Sequence, residues 1–162
     1  MRLCAWDTLP DTMRTPAVRP YYDGLRSRTA ALVGKRVIDV TMALILLVLL
    51  SPVLLVLAIW IKCDSPGPVF FRQVRITQNG RPFRIWKFRT MVADAEAHGT
   101  QVTVDGDSRI TRVGSRLRRL RLDEIPQLFN VLAGEMSFVG ARPEVPRYVE
   151  HYAPDMWATL LL

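Results

Sequence analysis

The pattern of apolar and polar positions divides this chain into three parts. Residues 1–34 scatter apolar side chains among acidic, basic and proline residues, and they contain no apolar core of the kind that a signal sequence has. We therefore expect a flexible N-terminal segment there. Residues 35–63 contain a long apolar stretch, and residues 64–162 alternate short apolar runs with charged positions, as a domain that faces water does.

The apolar stretch, residues 40–61, is long enough to be a membrane helix. As a straight helix its roughly 22 residues would extend about 33 Å, and the core of a bilayer is about 30 Å thick. Pro52 has no backbone N–H, so the carbonyl of Val48 loses its helical partner. The Ser51 hydroxyl can reach that carbonyl or the carbonyl of Leu47, and such hydrogen bonds bend helices. Ser51 and Pro52 therefore predict a kink.

Charge at both ends of the stretch leaves two topologies open. Basic residues precede and follow it: Arg26, Arg28, Lys35, Arg36, Lys62, Arg72 and Arg75. Because positive charge prefers the cytoplasm, both ends of the helix are expected on that side. A re-entrant helix, which enters and leaves the bilayer on one face, satisfies both the charge pattern and the kink. An ordinary proline-kinked span is the alternative.

The water-facing part starts with two β-like runs, residues 69–76 and 82–90. Asn79-Gly80 lies between them and is a strong signal for a β-hairpin turn. The alternation of the second run fails at Trp86 and Lys87, and its basic and aromatic residues are interleaved. That composition is typical of nucleic-acid binding and also of a membrane surface. The neighbouring apolar stretch favours the membrane surface.

Helical spacing follows the hairpin. Residues 114–122 are predicted to form a basic helix with Leu117 and Leu120 as its apolar stripe. A second helix is predicted to start near Asp123 and to stop at Gly134. These elements predict an α/β (α+β) fold, a small membrane-associated domain with a β-hairpin and several short helices at the cytoplasmic membrane surface.

Asp123 and Glu124 form an acidic pair inside the most basic stretch of the chain, residues 118–128. One interpretation is structural, because acidic residues at a helix start cap the helix and complement its dipole. The other is chemical, because nearby arginines can keep a carboxylate ionised and can hold an anionic substrate. Both interpretations remain open on the residues alone. The chain has no Walker loop and no Gly-x-Gly-x-x-Gly motif.

The composition limits the classes of partner that the chain is expected to bind. The chain has 22 Lys and Arg against 15 Asp and Glu, and the net charge of +7 favours nucleic acid, nucleotide phosphates or anionic lipid headgroups. The long apolar stretch argues against a nucleic-acid binder, so we expect no nucleic acid partner. Cys4 and Cys63 have no metal-ligand spacing and are expected to be free thiols.

Six short strings, from residue 35 onward, carry a resemblance to a known family. They are Lys-Arg-Val-Ile-Asp-Val (35–40), Leu-Ser-Pro (50–52), Asp-Ser-Pro-Gly-Pro-Val-Phe-Phe-Arg-Gln (64–73), Trp-Lys-Phe-Arg-Thr-Met (86–91), Leu-Asp-Glu-Ile-Pro-Gln-Leu-Phe-Asn-Val-Leu (122–132) and Gly-Glu-Met-Ser-Phe-Val-Gly-Ala-Arg-Pro-Glu (134–144). In this order they resemble the bacterial sugar transferases that form the monotopic phosphoglycosyl transferase family.

The resemblance implies a phosphotransferase that moves a sugar 1-phosphate from a UDP-sugar to polyprenyl (undecaprenyl) phosphate, and so initiates exopolysaccharide or glycoconjugate synthesis. It implies a location at the cytoplasmic face of the bacterial inner membrane, in contact with inner-membrane lipids. It also implies that Ser51 and Pro52 form the kink of a re-entrant helix. A homodimer is a further expectation.

The resemblance implies roles for individual residues. Asp123 would be the nucleophile that forms a covalent aspartyl intermediate, and Glu124 would support it. Mg²⁺ would be the cofactor, with Asp123 as its protein ligand. Arg118 and Arg142 would hold phosphate or nucleotide groups.

Lys87 and Arg89 lie in one of the matching strings and are candidate substrate-binding residues, with sheet structure and membrane-surface contact as the competing interpretation. The chain also departs from the family. Ala141 stands where the family usually has the first proline of Pro-Arg-Pro. Family members normally continue beyond the position of Leu162, so the catalytic domain, residues 64–162, is expected to be incomplete at its C-terminus. A truncated, inactive homologue that binds the membrane or a partner protein is the alternative function.

Overall fold

The computed structural model describes residues 3–93, 95 and 107–161. Its helices and strands follow in the order α1 (Arg19–Arg26), α2 (Thr29–Asp64), β1 (Phe70–Ile76), β2 (Pro82–Phe88), α3 (Arg112–Arg119), α4 (Gln127–Ala133) and α5 (Pro146–Val149). Short 3-10 turns lie at Trp6–Thr8, Asp11–Met13, Gln78–Gly80, Leu122–Glu124 and Met156–Leu161. One long apolar helix, a two-stranded sheet and short helices give the mixed α/β architecture that the sequence predicts.

Helix α2 is the apolar stretch, and it begins before the predicted boundary at residue 35. It runs uninterrupted through Pro52. Ser51 Oγ donates a 2.8 Å hydrogen bond to the carbonyl of Val48, the acceptor that Pro52 leaves without an amide partner. This hydrogen bond confirms one of the two predicted for Ser51. The helix is long and apolar enough to cross a membrane, and only 11% of its most apolar window is buried by the described residues.

The β-hairpin confirms the predicted turn. Asn79 and Gly80 adopt φ values of 61° and 70°, the left-handed conformation that a tight hairpin turn requires. In strand β2 the side chains of Phe83, Ile85 and Phe88 are buried. The alternation breaks after Ile85, because the two residues that follow are both half-buried.

The chain divides into two compact units, and the first comprises residues 1–45, 73–85 and 129–162. Its core joins N-terminal to C-terminal side chains: Leu9, Met13, Val18, Tyr22, Val149, Leu160 and Leu161. Four side chains of the N-terminal segment, Leu9, Met13, Val18 and Tyr22, are therefore buried in this core. The sequence does not indicate this packing, because single apolar residues in short turns show no periodicity and their partners are far away along the chain.

Polar contacts in the first unit fasten the start of α2 to the segment after α4. Asp39 is 3% exposed and accepts hydrogen bonds from Ser137 Oγ at 2.7 Å and from the Phe138 amide at 3.2 Å. Arg36 donates to the carbonyls of Val131 and Leu132 at 2.5 and 2.8 Å, and so caps the C-terminus of α4. Arg36, one of the basic residues that suggested the topology, therefore also has structural partners.

The second unit comprises residues 46–72 and 86–128. Its core brings the second half of α2 together with β2 and α3 through Leu57, Ile61, Phe88, Val113 and Leu117. Helix α3 starts earlier than predicted, because the Thr111 side chain caps it by accepting a hydrogen bond from the Gly114 amide at 2.9 Å. It also ends earlier, so Leu120 lies beyond the helix and is 61% exposed instead of completing an apolar stripe.

Candidate active site

The acidic pair lies in a 3-10 turn and not at the start of an α-helix. Arg121 adopts a left-handed φ of 57°, the turn Leu122–Glu124 follows, and α4 begins only at Gln127. The prediction that Asp123 caps the second helix is therefore wrong. The amides of Glu124 and Ile125 donate to the carbonyls three residues before them, and Pro126 has no amide hydrogen with which to extend that turn. The predicted stop is confirmed, since Gly134 has a φ of 84° directly after α4.

Asp123 is a buried carboxylate with an oxygen that lacks a partner. The residue is 8% exposed, and its Oδ1 accepts no hydrogen bond from the residues that the structure describes. Burial raises the pKa of the Asp123 carboxyl, and the negative charge of Glu124 adds to the rise. The positive charges of Lys87 and Arg118 act in the opposite direction. A carboxylate that is buried, has an oxygen without a hydrogen bond and lies near both negative and positive charges is typical of a functional site. In a purely structural role the same burial would cost free energy without a return.

Lys87 and Glu124 form an ion pair beside Asp123. The distance from Lys87 Nζ to Glu124 Oε1 is 3.0 Å, and their side chains are only 18% and 25% exposed. The pair joins strand β2 to the turn that carries Asp123. Lys87 breaks the alternation of β2, since both it and Trp86 are half-buried, and its ammonium group is paired with Glu124. The structure thus places Lys87 at the candidate site.

Arg118 approaches the same site from the last turn of α3. Its Nε donates a 2.8 Å hydrogen bond to Thr90 Oγ1. Burial lowers the pKa of the Arg118 guanidinium, while the carboxylates of Asp123 and Asp107 act to raise it. The hydrogen bond to Thr90 therefore fixes the orientation of the guanidinium near Asp123. Its remaining N–H groups can contact an anion.

Thr90 and Gly114 position Arg118, and neither was predicted from the sequence. The Thr111 amide donates to the Thr90 carbonyl at 3.0 Å, so α3 starts directly beside the end of β2. A Cβ atom at Gly114 would lie 2.0 Å from the Thr90 carbonyl oxygen, so only glycine permits this approach. Two sequence features could have pointed to these residues. Thr90 lies in one of the strings that carry the family resemblance, and Gly114 is a glycine within a helical pattern.

Arg89 makes contacts of a different kind. It is 5% exposed, and its Nη2 donates to the carbonyl and the hydroxyl of Ser65 at 2.6 and 2.9 Å. A Cβ atom at Gly67, which has a φ of 118°, would lie 2.2 Å from Arg89 Nη1. Arg89 thus holds the loop that follows α2. Of its two predicted roles, these contacts fit the structural one.

Arg142 belongs to the first unit, whereas the other candidate residues belong to the second. Its side chain is exposed. The loop around it is held against β1, because the Ile76 amide donates to the Glu144 carbonyl at 2.9 Å and Arg75 Nη1 donates to the Pro143 carbonyl at 3.4 Å. These bonds fix the backbone on the C-terminal side of Arg142 without help from a proline at position 141.

The donors among the described residues are compatible with an Mg²⁺ ion that also binds substrate groups and water. The described residues contain no group of three or more His, Cys, Asp or Glu side chains that could hold a metal ion. Mg²⁺ commonly uses one or two carboxylates and completes its shell with substrate phosphates and water. The unpartnered Oδ1 of Asp123 meets that smaller requirement.

Comparison with known proteins identifies the family of the chain. The model of the bacterial sugar transferase family matches residues 30–160. The chain is 50% identical over 118 residues to a UDP-N-acetylgalactosamine-undecaprenyl-phosphate N-acetylgalactosaminephosphotransferase from Aeromonas hydrophila, an alignment that covers 73% of this chain. It is 45% identical over 143 residues, or 88% of this chain, to a UDP-glucose:undecaprenyl-phosphate glucose-1-phosphate transferase from Escherichia coli (strain K12).

A putative undecaprenyl-phosphate N-acetylgalactosaminyl 1-phosphate transferase from Bacillus subtilis (strain 168) is 43% identical over 122 residues, or 75% of this chain. The alignments span 28% of the Aeromonas protein, 30% of the Escherichia protein and 68% of the Bacillus protein. The matched region includes the hairpin, α3 and the acidic turn, which together build the site described above. The chain therefore belongs to the bacterial sugar transferase family.

Proposed function

We propose that this chain transfers a sugar 1-phosphate from a UDP-sugar to polyprenyl (undecaprenyl) phosphate. The observation that carries the proposal is Asp123, a buried carboxylate with a free oxygen flanked by the charges of Lys87 and Arg118. Relatives whose names describe this reaction, with different sugars, support the substrate class. Initiation of exopolysaccharide or glycoconjugate synthesis is the corresponding role in the cell.

The chemistry proceeds in two displacements at one phosphorus atom. In the first, an oxygen of Asp123 attacks the phosphorus that bears the sugar; the bond to the bridging oxygen breaks, and UMP leaves. In the second, a phosphate oxygen of polyprenyl phosphate attacks the same phosphorus and releases the Asp123 carboxylate. The product is a polyprenyl diphosphate sugar, and the enzyme is regenerated.

The residues around Asp123 lower the cost of bringing a carboxylate to an anionic diphosphate. Arg118 is oriented by Thr90 and can hold phosphate oxygens, which reduces repulsion and positions the phosphorus for attack. Glu124, paired with Lys87, keeps the lysine charge beside the nucleophile. Mg²⁺, held by Asp123 and the diphosphate, would supply further neutralisation of charge when bound.

Helix α2 provides the membrane attachment that a lipid substrate requires. Its exposed apolar side chains need a bilayer to cover them, and the polyprenyl tail cannot leave that bilayer. We propose that α2 is re-entrant on the cytoplasmic face of the inner membrane, with the bend at Ser51 and Pro52. This arrangement would keep the acidic turn at headgroup depth.

The test is a UMP-release assay on detergent-purified protein with Mg²⁺ and a panel of UDP-sugars. We expect release in catalytic amounts only when polyprenyl phosphate is present, and one equivalent of protein-bound labelled sugar phosphate when it is absent. Asp123→Asn should abolish both signals, whereas the exposed Asp155→Asn should keep both. Absence of UMP release and of labelling in the unmodified protein would instead support the inactive homologue.

A further inference from the structure

Helix α3 separates its arginines into two groups. Arg118 turns towards Thr90 and the acidic turn. Three others are exposed and recur at intervals of four and three residues, which places them on one side of a helix. We refer to Arg112, Arg116 and Arg119 as the arginine row. The opposite side of the helix is buried through Val113 and Leu117.

The arginine row lies beside the last turns of α2. Leu117 packs in one cluster with Leu57 and Ile61 of α2, and the Val113 amide donates to Asp64 Oδ2 at 3.2 Å. The guanidinium carbon of Arg116 lies 5.6 Å from the centre of the Trp60 ring, within range of a cation–π interaction. The row is therefore fixed next to the end of the apolar helix.

This end of α2 has the properties of a membrane boundary. Apolar side chains that precede it are 39–63% exposed: Val53, Leu55, Val56 and Ile59. Trp60 follows them, and then the exposed Lys62. Trp at the edge of an apolar segment, followed by a basic residue, is typical of headgroup depth. Arg116, whose guanidinium lies beside Trp60, is therefore next to this boundary.

The row has no ion-pair partner in the part of the chain that the structure describes. No salt bridge among the described residues includes Arg112, Arg116 or Arg119. The nearest carboxylate that lines the same shallow cleft is Asp107, and it is paired with Arg109 at 2.6 Å. The exposed guanidinium groups of the row can therefore contact anions from outside the protein.

We infer that the arginine row binds the phosphate groups of anionic phospholipids, of the phosphatidylglycerol class, at the bilayer surface around α2. The inference rests on the proposed function only in requiring that α2 sits in a bilayer. Guanidinium groups suit phosphodiesters because they offer several N–H donors in one plane. The row would draw anionic lipid to the exposed face of α3 and would hold α3 at a constant depth in the membrane surface.

The test uses protein reconstituted in nanodiscs, with a fluorophore on Cys63, an exposed thiol one residue from Lys62, in a Cys4→Ser background. Quenching is measured with a small equal fraction of phosphatidylglycerol or phosphatidylcholine that carries a spin label near the headgroup. We expect phosphatidylglycerol to quench about twofold more strongly at low salt, and the excess to fall as salt is raised.

The variant with all three row arginines changed to Gln should lose this excess, and the variant with all three changed to Lys should keep most of it. An unchanged excess in the Gln variant overturns the inference. A raised KM for the UDP-sugar in the Gln variant, in nanodiscs without anionic lipid, would assign the row to substrate and also overturn it. Because quenching requires no turnover, failure of the proposed transfer reaction would be seen separately as absent UMP release.

Discussion

Lys87 Nζ lies 3.0 Å from Glu124 Oε1, and this contact connects the end of strand β2 to the turn that carries Asp123. The lysine thus serves two carboxylates. It pairs with Glu124 directly, and its charge opposes the rise in the pKa of Asp123 that burial causes.

Replacing Lys87 by Met should move the acid limb of the pH–rate profile to higher pH. Without the lysine charge, the pKa of Asp123 rises further, so a smaller fraction of the carboxylate is ionised and nucleophilic at a given pH. At neutral pH we expect UMP release to fall about tenfold or more. The exposed Arg147→Met provides a control that removes one positive charge elsewhere. A reduced rate with an unmoved acid limb would contradict the assignment.

Arg118→Lys should lower turnover although it keeps the positive charge. Lysine cannot reproduce the Nε donation to Thr90 Oγ1 while also presenting a planar pair of N–H groups to phosphate. We expect a loss of about 10-fold to 100-fold in kcat/KM. The neighbouring exposed Arg119→Lys is the matched control and should retain activity. Equal activity of the two variants would show that only charge matters at position 118.

Gly114→Ala should disrupt the approach of α3 to strand β2. The new Cβ would lie 2.0 Å from the Thr90 carbonyl oxygen, so the helix must shift and carry Arg118 with it. We expect a destabilisation of about 1–3 kcal/mol together with loss of turnover. Gly24→Ala in α1, where a Cβ would meet no atom within 4 Å, should instead be neutral or stabilising by about 0.5–1 kcal/mol. Thermal unfolding followed by fluorescence compares the two, and similar melting temperatures would refute the close approach.

Asp123→Asn should melt at a higher temperature than the unmodified protein at pH 7.5. The pKa of Asp123 is raised on folding, so its contribution to stability is present below the unfolded value of 3.8 and is lost as pH rises through the folded value. The Asn variant escapes that loss because it does not ionise. The difference in melting temperature should therefore shrink as pH is lowered towards 3.8. Asp155→Asn, at an exposed carboxylate, should show no such trend, and a lower melting temperature for Asp123→Asn at pH 7.5 would contradict the prediction.

Both ends of α2 should be labelled from the cytoplasmic side. One variant keeps Cys63 as its single thiol, and a second carries Ser27→Cys just before the helix, with Cys4 and Cys63 changed to Ser. In intact cells a membrane-impermeant maleimide should label neither, and in inverted vesicles it should label both. Labelling of one thiol in each preparation would establish a span in place of the re-entrant helix.

The elements that depend on neighbouring residues could be predicted from the sequence. The length of the apolar stretch indicated α2, Asn79-Gly80 indicated the hairpin, and the Ser51 hydroxyl was predicted to reach the carbonyl of Val48. Each involves groups a few residues apart, so a local pattern contains all the partners. The helix expected at Asp123 begins instead at Gln127, because Asp123 lies in a 3-10 turn that follows the left-handed Arg121.

By itself, the sequence determined the family, the acidic pair and the arginines near it. Only the tertiary structure decided which of these groups meet. Thr90 and Arg118 are 28 positions apart, and Lys87 and Glu124 are 37 apart. The close packing of Gly114 brings the first pair together, and the return of the chain after α3 brings the second. The burial that leaves Asp123 with a free oxygen and a raised pKa is a property of the packed chain, because desolvation depends on every atom around the carboxylate and not on its neighbours in sequence.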